Sequence, residues 1–216
     1  LDPKLLGPLQ PLLGRDSRLM ADLQVAGPWQ QPELLASLRQ SANPILGPVA
    51  AELRWRPGLL RLERLQAPAL TATGQLPFPA RNGWGGPPGA LVLDVDLRSF
   101  PLARLSPLIS SPLRGRLEAW GRIAGPLQAL RPDLQLMVQH AGVGPLQLLE
   151  TWQGTLRGRR DGGADLRLKS QDPAAPADLH ARLDRRWLPA RLLLERAGGL
   201  LELTGDPRQY RWRSEA

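Results

Sequence analysis

The sequence predicts an all-β protein, and three observations carry that prediction. First, Leu113–Ile123 (LRGRLEAWGRI) alternates strictly. Its odd positions are Leu113, Gly115, Leu117, Ala119, Gly121 and Ile123, and its even positions are Arg114, Arg116, Glu118, Trp120 and Arg122. A strand sends successive side chains to opposite faces, so this stretch has one apolar and one charged face, whereas a helix would scatter the arginines around its cylinder. Second, the chain holds 22 Gly and 23 Pro, and no run free of both exceeds twelve residues. Interior proline costs a helix about 3 kcal/mol and glycine about 1, which outweighs the helix-forming Leu, Ala, Arg and Gln. Third, apolar-alternating segments recur between regularly spaced turn signals.

Taken in order, Lys4–Leu13 (KLLGPLQPLL) is broken by Pro8 and Pro11 and predicts an irregular lead-in. Arg18–Ala26 is the first strand, with Leu19, Ala21, Leu23 and Val25 on one face. Gly27-Pro28 turns the chain into Glu33–Gln40, where Ala36, Leu38 and Gln40 fit either a strand or a short helix. Asn43-Pro44 and Gly47-Pro48 mark the next turn. Val49–Arg56, Leu59–Ala67 and Ala69–Gln75 follow at hairpin spacing, separated by Pro57-Gly58 and Pro68. Arg81–Gly89 (RNGWGGPPG) is loop-like and the best internal break in an otherwise continuous domain over 1–216. Ala90–Arg98 resumes the alternation, Leu91, Leu93, Val95 and Leu97 opposing Val92, Asp94 and Asp96. Pro101, Pro107 and Pro112 then predict a short helical segment near 101–112. Beyond Leu113–Ile123 come Asp133–His140, Leu146–Arg157, a hairpin through Arg160-Asp161-Gly162-Gly163 into Ala164–Ser170, and a turn over Pro173-Ala174-Ala175-Pro176. Ala177–Asp184, Pro189–Arg196, Leu200–Gly205 and Gln209–Arg213 complete the set.

An internal echo reinforces the repetitive reading. Val25-Ala26-Gly27-Pro28, with Pro32-Glu33-Leu34 after it, matches Ile123-Ala124-Gly125-Pro126, with Pro132-Asp133-Leu134 after it. Gly47-Pro48-Val49 and Gly144-Pro145-Leu146 continue the match at nearly the same distance.

Lys and Arg number 28 against 20 Asp and Glu, a formal charge of +8. The arginines are spread singly along alternating strands, only Arg159-Arg160 and Arg185-Arg186 adjoining, which describes a solvated sheet face better than a nucleic-acid footprint. Such a face also suits an anionic membrane surface. With no cysteine, disulfides and thiolate chemistry are excluded. No stretch approaches the roughly 20 apolar residues of a membrane helix, and none resembles a signal peptide. The opening Leu1-Asp2 lacks a Met and is expected to belong to an excised piece of a longer protein.

The chemistry of catalysis is absent from the pattern. His140 and His180 lie in different strands without metal-ligand spacing, and His180 alternates with Arg182 and Asp184 as an outward residue. Asp94 and Asp96 share a face turned away from Leu93 and Val95, so solvation is expected rather than paired acid–base work. Gly83–Gly89 lacks the Lys-Ser/Thr ending of a phosphate loop, and Ser110-Ser111 lacks a G-x-S-x-G context. Trp29, Trp55, Trp120, Trp152 and Trp187 do not cluster as base-stacking platforms and are expected to pack the core or anchor sheet ends. A non-enzymatic protein without metal, cofactor or nucleic-acid partner is expected.

What remains is the apolar face, which must be covered. A sandwich, a closed barrel or an open trough would each do so, and composition by itself favours a dry sandwich core. An outer-membrane barrel is disfavoured by poor aromatic girdles, the chain having one Tyr and two Phe.

LRGRLEAWGRIAGPLQALRPDLQL and VGPLQLLETWQGTLRG within Leu113–Gly158, with LTATGQLPF and LVLDVDLRSFPLARLSPL before them, resemble the TamB family (translocation and assembly module) of the AsmA-like superfamily. The arginine-rich character is similar to that of cyanobacterial-type members. The resemblance implies many short, mainly antiparallel strands curled into an apolar-lined half-pipe, or β-taco. It implies a periplasmic body anchored in the inner membrane by an N-terminal helix. It also implies lipid movement between membranes, outer-membrane biogenesis and partnership with an Omp85-type barrel, as a carrier of lipid or as a scaffold for outer-membrane protein assembly. It carries no catalytic residues. On this reading phospholipid acyl chains are expected to lie against Leu19, Leu23, Val25, Leu91, Leu93, Val95, Leu117, Ile123, Leu134, Leu136, Leu166, Leu168, Leu179 and Leu183.

Overall fold

A computed structural model describes residues 18–28, 32–57, 59–76, 90–108, 112–126, 129–143, 146–147, 149–206 and 209–215. The strands are β1 (Leu19–Ala26), β2 (Glu33–Asn43), β3 (Gly47–Arg56), β4 (Leu59–Ala67), β5 (Leu70–Leu76), β6 (Leu91–Pro101), β7 (Leu113–Gly125) and β8 (Arg131–Val143). They continue as β9 (Leu146–Gln147), β10 (Thr151–Gly158), β11 (Ala164–Ser170), β12 (Ala177–Leu183), β13 (Pro189–Arg196), β14 (Gly199–Asp206) and β15 (Gln209–Glu215). All belong to one antiparallel sheet in which fourteen strands follow one another in chain order, with β9 pairing only to β8. The sheet does not close, because β1 and β15 each have a neighbour on one side only.

Glu33–Asn43 resolves as a strand, its Ala36 and Leu38 directly opposite Leu23 and Ala21. The predicted single strand Leu146–Arg157 is instead two, β9 and β10. The helical segment is a 3-10 helix over Leu102–Leu108, the only helical element among the described residues. Its Ser106 hydroxyl accepts from the Leu113 N–H at 2.9 Å, and Arg104 donates to the Ile45 carbonyl at 3.4 Å, tying this connection to the β2–β3 turn. Lys4–Leu13 and Arg81–Gly89 lie outside the described residues.

Local chemistry closes the hairpins. Asn43 Oδ1 accepts from the Ile45 and Leu46 N–H groups at 3.0 and 2.9 Å, an Asx turn joining β2 to β3. Asp184 does the same for β12–β13, accepting from Arg186 and Leu188 N–H at 2.8 and 2.9 Å. Ala197 and Gly198, both at positive φ, form the two-residue link between Arg196 and Gly199 that a primed turn requires.

These short connections fix the register at their hairpins, and the pairing as a whole aligns one apolar row across the sheet. Ala21, Leu38, Ala51, Leu65, Ala72, Val95 and Gly121 stand opposite one another in succession, continued by Leu134, Leu156, Leu166, Ala181, Leu192, Leu203 and Trp212. Where the sequence slips phase, a bulge restores the face. In β4 the apolar positions step from Leu62 to Leu65 while β5 steps only from Gly74 to Ala72. In β6 the step from Leu97 to Phe100 opposes Ala119 to Leu117, and Ser99 absorbs the extra residue at φ 48°. His140, at φ 50°, lies at the corresponding irregularity of β8 against β7.

Gly121 and Gly154 lie on the apolar face in mid-strand, where neighbouring backbone comes too close for a side chain. A Cβ on Gly121, whose φ is +142°, would meet the Asp133 carbonyl oxygen; one on Gly154 would meet that of Arg167. Glycine at such positions permits a local bend. Gly121→Val is expected to destabilise the protein by about 2 kcal/mol or more, combining strained φ with backbone collision. A urea unfolding curve checks this, and an unchanged midpoint would show that the strand accommodates the branch.

Candidate functional site: the apolar sheet face

All fourteen residues expected on the apolar face lie on it. Leu23 faces Ala36 at the β1 edge. Leu93 and Val95 face Ile123 and Gly121, and Leu91 faces Gly125. Leu117 faces Val138, and Leu134 and Leu136 face Gly121 and Ala119. Leu166 and Leu168 face Ala181 and Leu179, while Leu183 faces Ala164. Leu19 and Val25 follow Leu23 by alternation along β1.

Burial along this face separates the interior strands from the β1 edge. Leu134 and Leu136 are 8 % exposed and Trp152 is 3 % exposed, and Leu168 and Ala119 are buried with them in one cluster. Val95, Leu117, Ile123, Leu166 and Leu179 pack around that cluster half-buried. At the β1 edge, by contrast, Leu23 is 64 % and Val25 is 74 % exposed. No second sheet overlies the face among the described residues. Side chains in a single layer are covered by their flanking strands, so exposure rises at an edge.

Several members of the face escape the sequence pattern. Leu192-Leu193-Leu194 shows no alternation, and only the register separates Leu192 and Leu194, opposite Ala181 and Leu179, from Leu193, opposite His180. Trp152, Gly154 and Leu156 join the same face opposite Val138, Leu136 and Leu134. The tryptophans divide as well. Trp152 packs in the core, whereas Trp120 lies on the polar face and Trp187 in a turn, both substantially exposed.

The opposite face is a ladder of charge. One cross-strand row runs Asp94, Arg122, Asp133, Arg157, Asp165, Arg182, alternating in sign from β6 to β12 before Arg191 breaks the alternation. Arg122 holds Asp94 as a fork, Nε to Oδ1 at 2.8 Å and Nη2 to Oδ2 at 3.2 Å. Arg157–Asp133 (3.6 Å), Lys169–Asp178 (3.3 Å) and Arg191–Glu202 (2.8 Å) bridge other strand pairs. Asp94 and Asp96 are therefore occupied by arginines, and His180 is exposed on the same face. Among the described residues no three His, Cys, Asp or Glu side chains gather as a metal site.

One partly buried arginine organises the end of the sheet. Arg159 donates to Asp161 Oδ1 at 3.1 Å, Asp165 Oδ1 at 3.3 Å and the Leu183 carbonyl at 3.2 Å, joining the β10–β11 turn to the end of β12. Burial pulls its pKa down, but Asp161 and Asp165 together hold it above the ordinary arginine value. Arg185 Nε donates to the Asp161 carbonyl at 2.6 Å, so the β12–β13 turn is bound to the same knot.

No helix among the described residues is long and apolar enough to cross a membrane. No family model, no curated protein and no solved structure matches the chain.

The ladder has a definite pH signature. Hydrogen bonds from Arg122, Arg98 and Arg159 hold the Asp94, Asp96 and Asp161 carboxyls below the ordinary aspartate value. A carboxyl depressed in the folded state stabilises it above the unfolded pKa of about 4 and loses that contribution as pH falls through the lower folded value. Acidification below about pH 4 is therefore expected to lower the unfolding midpoint, and Asp94→Asn to remove part of the slope. Thermal melts across that range check this; identical slopes for the two proteins would mean that the Asp94–Arg122 fork has no part in it.

Proposed function

We propose that the chain is a non-enzymatic, lipid-binding segment of a TamB-like protein. It holds phospholipid acyl chains against its apolar face for transport between membranes and outer-membrane biogenesis, within a periplasmic body anchored in the inner membrane. The observation that carries this reading is the apolar row that crosses fourteen strands of one unclosed sheet. A dry sandwich would oppose this face with another, and the described residues supply only the one sheet.

A curled, half-pipe form is supported by the bulges in β2, β4, β6 and β13 and by the mid-strand glycines Gly121 and Gly154. Bulges and glycine kinks are the devices that bend a sheet. Within such a trough each buried methylene of an acyl chain contributes about 0.8 kcal/mol, so retention needs no polar recognition. The charged ladder on the other face keeps that side in water. The partly buried leucines between the core cluster and the edges are the side chains with apolar surface left to offer.

Leu117 and Glu118 are adjacent and belong to opposite faces, which gives a matched test. Leu117→Arg is expected to cut co-purifying lipid several-fold, and Glu118→Arg to leave it unchanged. Native mass spectrometry of detergent-free protein reads both, with circular dichroism confirming that both variants are folded. Equal lipid in the two folded variants, or none in the parent, would defeat the reading.

A further inference from the structure

The charged face sets two arginines against each other between β12 and β13. Arg182 stands directly opposite Arg191, and one side-chain step along the same face Arg167 stands directly opposite His180. Like charges opposed across a strand pair are unfavourable. Arg54 and Arg61 form the same kind of pair between β3 and β4, and there the protein supplies the counter-charge itself. Glu63 reaches Arg54 at 3.4 Å with one carboxylate oxygen and Arg61 at 3.7 Å with the other.

Among the described residues no carboxylate spans Arg182 and Arg191 in this way. Asp165, opposite Arg182, is held by Arg159 at 3.3 Å, and Glu202 accepts a hydrogen bond only from Nε of Arg191, at 2.8 Å. Arg167 and Arg182 form no ion pair among the described residues. What lies at this point is a depression of about 300 Å³, bounded on the charged face by Asp165, Arg167, His180, Arg182, Arg191 and Leu193. All four basic side chains are exposed and within reach of a solute.

We propose that this depression binds a phosphate group, which takes between Arg182 and Arg191 the place that Glu63 takes between Arg54 and Arg61. A carboxylate has two oxygens and serves two arginines. Three arginines at one depression match the near-double charge and the additional acceptor oxygens of a phosphate. Guanidinium forks also fit phosphate oxygens two at a time, a geometry that lysine does not offer. The site lies on the face opposite the acyl-chain surface and stands independently of lipid binding there.

Thermal melts of the full chain with and without inorganic phosphate, at matched ionic strength, read the site. Phosphate strengthens apolar burial in any protein, so the quantity that counts is the difference between the parent and its variants. At a phosphate concentration several times the Kd, the parent midpoint is expected to rise by about 2–4 °C more than that of Arg182→Thr. His180→Glu, which sets a carboxylate beside Arg167 and Arg182, is expected to remove the same increment while raising the phosphate-free midpoint. Both positions are exposed, so neither change enters the buried cluster. Co-sedimentation with phosphatidylcholine vesicles, with and without phosphatidic acid, identifies the source of the phosphate. Binding that needs phosphatidic acid and is lost in Arg182→Thr assigns a lipid headgroup. A phosphate increment without such binding assigns a small phosphate compound. Equal increments in the parent and both variants overturn the proposal, as does a parent whose midpoint phosphate leaves unchanged.

Discussion

Register parity is the constraint on which the structure depends. A strand has a side-chain period of two, so a slip of one residue at any of the strand pairings would turn every following leucine to the charged face. At several hairpins the chain avoids this with connections too short to allow slippage. The β13–β14 link has two residues, and Asn43 and Asp184 lock the β2–β3 and β12–β13 turns through their own side chains. Bulges act in the same service. In β4 and β6 the extra residue falls where the apolar spacing lengthens from two to three, so the irregular backbone keeps the face regular.

Parity explains the energetics as well as the geometry. The described residues form one sheet, so the apolar rows are covered within that sheet and not by a second one. The buried cluster that includes Leu134, Leu136 and Trp152 accordingly sits in the middle of the sheet, with several strands on either side. The ion pairs of the other face add little stability of their own, since most of their members are substantially exposed and exposed pairs contribute about 0–1 kcal/mol. Their value lies in discrimination. A ladder alternating in sign penalises the register slips that would set like charges opposite each other. Arg159 is the exception, partly buried and bound to three elements at once.

Strand existence and the facing of the fourteen leucines, valines and isoleucine were legible because alternation is a direct image of the pleat. Leu59–Ala67, Ala164–Ser170 and Pro189–Arg196 have the bounds that the pattern indicates. The pattern was blind where composition stops alternating. Glu33–Asn43 contains good helix formers, and only pairing with β1 and β3 makes it a strand. Leu192-Leu193-Leu194 offers three equivalent side chains, and the choice of face comes from Ala181 and His180 across the pair. The break between β9 and β10 follows Gln147 with no proline or glycine between Gln147 and Thr151 to announce it. Each miss is a non-local pairing, information carried by a neighbouring strand.

A sheet in which each strand touches mainly its sequence neighbours behaves as a nearly one-dimensional array. Stability is then close to a sum of strand terms and nearest-neighbour interfaces, as in repeat proteins, and the ends are worth less than the middle because each lacks one interface. The contrast between the interior and β1 shows that deficit: Leu134 and Leu23 are leucines on the same face, one 8 % and the other 64 % exposed. Architecture of this kind can lengthen without redesign, because a strand added at an end disturbs only its immediate neighbour. The requirements are that an incoming strand continue the alternation, match the face and satisfy the open backbone groups. The continuous apolar face is a consequence of one fact, a parity kept across fourteen strands of the described residues.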